Sequence, residues 1–128
     1  MNYNQIGAGL KVLEIKNVVK SVSKNGNDQF VWNVTNEDNR DYTVYTVKTG
    51  IAKKDWMLKQ LLKAIGIKKS EDGKYLFNVN NIRGKKVLGD FYLDTNTNEV
   101  KLKGFMAYSE NQDMVVEWEQ QQEDLNGL

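Results

Sequence analysis

The sequence predicts a mainly β fold of the α+β class, with five strands, one helix between the third and fourth strands, and an acidic C-terminal tail. Three observations support this prediction. Apolar and polar residues alternate over several short stretches, polar turns that include an Asn-Gly pair separate these stretches, and the apolar period becomes helical in the middle of the chain. A length of 128 residues suits one domain and is too short for separate cofactor and substrate domains.

The first three predicted strands form a meander. Strand 1 covers about residues 10–22, and because its apolar residues change phase along the strand, we expect a bulge or a strong bend in it. The pair Asn25-Gly26 tolerates the positive φ of a tight hairpin turn and leads into strand 2, at about residues 29–35. A second polar turn over residues 36–40 leads into strand 3, at about residues 41–48.

A helix and a second hairpin follow. One apolar stripe at helical spacing predicts a helix over about residues 52–65, and Gly66 is placed to end it. Residues 67–81 are compatible with a short strand or a cap. Alternating residues 87–93 and 99–107, joined by the polar turn 94–98, predict a closing hairpin.

This order of elements matches the OB-fold, a five-stranded barrel that here carries its helix between strands 3 and 4. A bent first strand favours the barrel, because that strand must pair along both of its ends for the sheet to close. An open α+β sheet with the same elements is the alternative. We divide the chain into an OB-fold-like domain, residues 1–108, and an acidic tail, residues 109–128, that is either helical or disordered.

The composition excludes most catalytic classes. The chain contains no cysteine and no histidine, which removes thiolate nucleophiles, imidazole acid–base chemistry and the commonest ligands of transition metals. No apolar run is long enough to span a membrane, and no secretory signal opens the chain, so we expect a cytoplasmic protein that does not act on a membrane. We also expect no cofactor and no metal.

Charge is distributed unevenly along the chain. Residues 109–128 contain six acidic side chains and no basic one, whereas residues 1–108 contain 18 basic and 11 acidic side chains. A basic domain with an acidic tail indicates a polyanion-binding protein whose tail competes for the binding groove or recruits other proteins. A solvated tail without such a role is the alternative.

Binding of single-stranded nucleic acid requires flat rings on which bases stack and cations that neutralise phosphates. Both are present on the predicted strands, and Lys101, Lys103 and Phe105 are expected to share one face of strand 5. The candidate DNA-binding residues are Trp32, Tyr42, Tyr45, Lys48, Arg83, Lys85, Lys86, Tyr92, Lys101 and Lys103. We expect four other aromatic residues in the core: Phe30, Trp56, Phe77 and Phe91.

Two alternative functions are compatible with the same sequence. Asp90, Glu99 and Lys101 fit the loose spacing of a Mg²⁺-dependent nuclease, in which two carboxylates hold the metal and the lysine stabilises charge at the phosphate. This spacing is common by chance in a chain rich in lysine and glutamate, so we predict that the protein is not an enzyme. A module that captures a host protein, without affinity for nucleic acid, is the other alternative.

Four segments, in their order along the chain, resemble a family of small phage proteins encoded near replication and recombination genes: 23–27 (SKNGN), 58–66 (LKQLLKAIG), 81–87 (NIRGKKV) and 100–105 (VKLKGF). These phage proteins are regarded as single-stranded DNA-binding proteins with an OB-fold. The resemblance covers about residues 10–108. It implies sequence-independent binding of single-stranded DNA in phage replication or recombination, in the cytoplasm of the host cell.

The same resemblance implies a homodimer, and recruitment of a recombinase, helicase or polymerase through the acidic tail. The tail departs from the bacterial single-stranded DNA-binding pattern, in which a run of aspartates is closed by Pro-Phe. Here the chain ends DLNGL, at residues 124–128. Recruitment through the tail therefore lacks the motif that supports it in bacterial proteins.

Overall fold

The computed structural model describes residues 3–67, 71, 75 and 77–108, so the predicted tail lies outside the described residues. The predicted mainly β fold with five strands, and a helix after the third of them, is confirmed. A second, four-residue helix precedes the fourth strand, at the end of the segment 67–81 that was compatible with a short strand or a cap. The elements are β1 (Gly9–Val22), β2 (Asp28–Asn36), β3 (Asp41–Val47), α1 (Trp56–Ala64), α2 (Val79–Ile82), β4 (Lys86–Asp94) and β5 (Glu99–Ala107).

All five strands belong to one antiparallel sheet in the order β3-β2-β1-β4-β5. The long central strand β1 pairs with β4 through its first half and with β2 through its second half. The register of β1 against β2 shifts between Ile15 and Asn17, so Lys16 is the extra residue of a bulge. The predicted irregularity of strand 1 is therefore confirmed.

The sheet is strongly curled, and β3 and β5 form its two edges. The backbone N–H of Tyr3 donates to the carbonyl of Val100 on β5 (3.0 Å), and the Tyr3 hydroxyl donates to the carbonyl of Thr43 on β3 (3.0 Å). In a flat sheet the two edge strands would lie roughly 19 Å apart, too far for one tyrosine to join. The described strands nevertheless contain no β3–β5 ladder, so the sheet is not a closed barrel.

The core lies inside the curl and is covered by α1, which contacts both β5 and β3. The apolar stripe predicted for this helix is confirmed, since Leu58, Leu61, Leu62 and Ile65 are all buried. Gly66 adopts the left-handed conformation, with φ at 82°, and ends the helix as predicted. Within the described residues, no helix has the length and the apolar composition needed to cross a membrane.

Trp32 belongs to this core and Tyr42 packs against it, so the prediction that Trp32 presents its ring to DNA is wrong. Trp32 is 0% exposed, its Nε1–H donates to the Thr46 hydroxyl (2.9 Å), and its ring stacks on Phe77 at a centroid distance of 5.8 Å. Tyr42 is half-buried and packs against the core, beside the ring of Tyr3. Both side chains lie on the inner face of their strands, together with buried valines. The alternation of residues alone does not show which face of these strands is the inner one.

Gly89 provides the space in which a core ring packs. A Cβ atom at this position would lie 2.6 Å from the ring of Phe91 and 3.0 Å from a methyl group of Leu13. We expect Gly89→Ala to lower the free energy of unfolding by about 1 to 3 kcal/mol, because the ring or the strand must move to admit the methyl group. Urea denaturation measures this change, and an unaltered midpoint would contradict the tight packing described here.

The loop between β3 and α1 is organised by the buried carboxylate of Asp55. It accepts hydrogen bonds from the backbone N–H and the hydroxyl of Thr49 and from the N–H of Gly50, each at 2.8 Å. Burial alone would raise the pKa of Asp55. The hydrogen bonds from Thr49 and Gly50, together with the charge of Lys59, outweigh burial and hold the pKa below its usual value.

An acidic group whose pKa is lower in the folded than in the unfolded state stabilises the fold at pH values above its unfolded pKa. This contribution is lost as the pH falls through its folded pKa. We therefore expect Asp55→Asn to destabilise the protein by about 1 to 3 kcal/mol at pH 7, because the acceptor loses its charge. The difference from the unsubstituted protein should shrink below about pH 4. Denaturation curves at pH 7, 5 and 3 measure it, and a difference that stays constant would show that the charge of Asp55 does not matter.

Candidate nucleic-acid interface

A groove of about 860 Å³ runs between the start of α1 and the β4–β5 hairpin. We call it the β5 groove. Among the described residues, apolar and aromatic side chains form most of its wall, and two charged side chains line it. Its lining residues are Trp56, Gln60, Asp90, Tyr92, Leu102, Lys103, Gly104, Phe105 and Met106.

Trp56 forms one side of the β5 groove and is 48% exposed, so the prediction that it lies in the core is wrong. It is the first residue of α1 and lies about 200° around the helix from Leu58, on the side opposite the buried stripe. A helical projection of the sequence already places Trp56 opposite the apolar stripe. The prediction followed instead the general tendency of aromatic residues to be buried. The core predictions for Phe30 and Phe91 are confirmed, and Phe77 packs against the core.

Tyr92 forms the facing side of the β5 groove and is 42% exposed. It lies on the outer face of β4 because its neighbour Phe91 points into the core, and successive strand residues alternate between the two faces. Asp90 shares this outer face. Across the hairpin, Tyr92 pairs with Lys101 and Asp90 pairs with Gly104.

A bulge in β5 places Lys103 at the groove. Phe91 pairs with Leu102 and Asp90 with Gly104, so Lys103 is the extra residue between them. Because the extra residue reverses the alternation, Phe105 returns to the inner face and is buried, whereas Lys103 is exposed. The prediction that Lys101, Lys103 and Phe105 share one face is therefore wrong.

Gln60 joins α1 to the edge of β5. Its Oε1 accepts a hydrogen bond from the backbone N–H of Phe105 at 2.8 Å. Gly104 makes this approach possible, since a Cβ atom there would lie 2.4 Å from the Gln60 Oε1. The side-chain amide of Gln60 therefore lies directly against Gly104, and both residues line the groove.

Two lysines from the predicted set lie at this hairpin. Lys103 has no ion-pair partner among the described residues. The Lys101 Nζ lies 2.8 Å from Oδ2 of Asp94, and this hydrogen bond raises the pKa of Lys101 and lowers that of Asp94. Lys101 is therefore charged but partly neutralised, which leaves Lys103 as the cation best able to approach a phosphate in the groove.

The structure places Tyr45 and Lys48 away from the β5 groove. Tyr45 is 49% exposed on the outer face of β3, at the opposite edge of the sheet order, where it pairs with Val31. Lys48 follows β3 and lines a separate cavity of about 250 Å³ together with Lys20 and Phe30. Neither residue lines the groove that contains Tyr92.

The predicted cations near residue 85 form a third location, at the start of β4. Arg83 is exposed, and its Nε–H donates to the carbonyl of Lys16 at the β1 bulge (3.2 Å). Lys86 lies over the ring of Tyr108, with its Nζ 5.5 Å from the ring centroid. Lys85 lies between them and is half-buried. Of the predicted site residues, the structure thus brings together Tyr92, Lys101 and Lys103.

The residues of the nuclease alternative do not form one cluster. Asp90 pairs with Gly104 and Glu99 pairs with Asp94, so the two carboxylates lie four residues apart along β4, or about 13 Å. Lys101 forms its ion pair with Asp94. The described part of the chain contains no group of three side chains able to hold a metal ion.

No known family model matches the sequence, and no curated protein matches it significantly. The chemistry of the site is therefore inferred from its geometry. The β5 groove offers two half-exposed rings, a short apolar wall and one exposed lysine. Such a surface can stack planar groups and attract an anion beside them.

Proposed function

We propose that the protein binds single-stranded DNA through the β5 groove, without a strict sequence requirement and without making or breaking a bond. One observation carries this proposal: two half-exposed rings, Trp56 and Tyr92, line the same groove as the exposed Lys103. Base–aromatic stacking contributes about 1 to 3 kcal/mol per base for any of the four bases, because each has a π-face.

The composition of the groove favours single strands over duplex. Duplex binding depends chiefly on cations that follow the phosphate backbone, and the charged residues that line the groove in the described part of the chain are one lysine and one aspartate. Stacking on Trp56 and Tyr92 requires bases whose faces are free, and in a duplex these faces are covered by neighbouring base pairs. The ligand that fits both observations is an unpaired strand.

We further propose that the sheet is an OB-fold variant. The strand order and the helix between β3 and β4 agree with that fold. Tyr3 and α1 occupy the gap between the edge strands that a β3–β5 ladder would close.

The resemblance of residues 10–108 to phage proteins supports a homodimer that acts in phage DNA replication or recombination in the host cytoplasm. It also supports a tail that recruits a recombinase, helicase or polymerase.

A titration with single-stranded and duplex oligonucleotides at two salt concentrations tests the proposed function. We expect tighter binding of the single strand, and an affinity that falls with salt at a log–log slope of about −0.7 per neutralised phosphate. Lys103→Ala should reduce the magnitude of this slope by about 0.7, whereas Lys24→Ala, which removes a lysine in the exposed β1–β2 turn, should leave it unchanged. Equal salt slopes for the two variants would show that Lys103 does not contact the bound strand. Equal affinity for single-stranded and duplex oligonucleotides would contradict the single-strand proposal.

A further inference from the structure

Asp90 is the side chain of the β5 groove that phosphate binding does not explain, since a carboxylate repels phosphates. It is half-buried and lies two residues before Tyr92 on the same face of β4, a spacing of about 7 Å. None of the described residues donates a hydrogen bond to its carboxylate or forms an ion pair with it. A base stacked on Tyr92 would therefore present its edge to the Asp90 carboxylate, which accepts no hydrogen bond from any of the described residues.

Gln60 supplies a donor beside this acceptor. Because the backbone N–H of Phe105 donates to Oε1 of Gln60, the orientation of the amide is determined, and its NH₂ group is the end that remains able to donate. The amide lies against Gly104, and Gly104 is the cross-strand partner of Asp90. The groove thus places a charged acceptor and a neutral donor on either side of one glycine.

The four bases differ in how well they match this pair of groups. Guanine carries two adjacent donors, N1–H and N2–H, which can bind both oxygens of one carboxylate, and its O6 accepts from a donor beside them. Adenine and cytosine carry one amino donor next to a ring nitrogen whose lone pair a carboxylate repels. Thymine has a single N–H between two carbonyl oxygens. Guanine is the only base that offers two donors in a row.

We propose that the β5 groove recognises guanine through Asp90, with the Gln60 amide placed to donate to O6. This inference rests on the proposed function and adds a base preference to binding that tolerates any sequence. Asp90 is in this view the specificity-determining residue of the groove. The rings hold whichever base enters, and the carboxylate retains guanine longest.

The test uses nine-residue oligonucleotides in which eight thymidines surround one central variable base. We expect the strand with guanine to bind about 5-fold or more tightly than the strand with thymine, as for other bidentate contacts to a base. Inosine, which lacks the N2 amino group, should lose much of this preference. The 7-deaza analogue of guanine keeps both donors and should retain it, which separates reading of this edge from reading of N7.

The matched variants are Asp90→Asn and Asp38→Asn, each of which removes one negative charge. Asp38 is exposed in the β2–β3 turn, away from the groove. We expect Asp90→Asn to abolish the preference for guanine over thymine, and Asp38→Asn to preserve it. If all four bases bind within 2-fold, or if Asp90→Asn strengthens every oligonucleotide equally, the guanine inference is wrong and the proposed function stands. If no oligonucleotide binds, both are wrong.

Discussion

Trp56→Ala is expected to weaken the binding of single-stranded DNA by about 5- to 150-fold, the range that corresponds to the loss of one stacked base. The side chain is half-exposed and lies opposite the buried stripe of α1, so its removal should leave the melting temperature within about 2 °C, as is usual for surface substitutions. Fluorescence anisotropy of a labelled oligothymidine measures the affinity, and circular dichroism measures the melting temperature. The combination of lost affinity and retained stability distinguishes a binding residue from a core residue.

Tyr45→Ala is the matched control for this variant. Tyr45 is as exposed as Trp56, but it lies on β3 and does not line the β5 groove. An interface confined to the groove predicts that Tyr45→Ala retains the affinity of the unsubstituted protein. If Tyr45→Ala weakens binding and Trp56→Ala does not, the interface lies on the outer face of β3, which carries the predicted binding residue Tyr45.

Trp32→Ala is expected to lower the free energy of unfolding by about 3 to 5 kcal/mol, the cost of removing a large buried ring. Its ring is inaccessible to solvent, stacks on Phe77 and contacts Phe30, and its loss also leaves the buried Thr46 hydroxyl without the Trp32 Nε1–H. This loss is a large fraction of the 5 to 15 kcal/mol that stabilises a typical domain. Urea denaturation followed by circular dichroism measures it.

Trp32→Phe separates the two contributions. It retains a ring in the same space and removes the hydrogen bond to Thr46, so we expect a smaller loss of about 1 to 3 kcal/mol. A Trp32→Ala variant that is as stable as the unsubstituted protein but binds DNA weakly would contradict the core position. It would restore the interpretation that the sequence alone favoured.

The strands, the turns and α1 could be predicted because each leaves a local signal. The phase change in strand 1 indicated the bulge at Lys16, and Asn25-Gly26 and Gly66 marked a hairpin and a helix end, both with positive φ at the glycine. The bulge at Lys103 leaves no such signal, because the residues on either side of it alternate acceptably in both registers. Because the bulge at Lys103 was not predicted, Phe105 was assigned to the wrong face of the sheet.

The candidate site was predicted in part. Tyr92 and Lys103 meet because they lie on one hairpin, and pairing within a hairpin follows from its turn. The helical position of Trp56, opposite the apolar stripe, indicates that it is exposed, but its place in the groove depends on how α1 docks against β5, a long-range contact made by Gln60 and allowed by Gly104. The sequence alone does not show which face of β2 and β3 is buried, since both faces carry apolar residues, and Trp32 was therefore predicted at the interface.

Occupation of the β5 groove by an unpaired strand is measured by the change in tryptophan emission when an oligothymidine is added in dilute buffer. Trp118 lies in the tail, so the measurement uses a Trp118→Phe background in which Trp56 and the buried Trp32 are the emitting residues. We expect saturable quenching in this background, and no quenching when Trp56→Phe is added. Binding that leaves the emission of Trp56 unchanged, or no binding at all, would contradict the claim that this groove holds an unpaired strand.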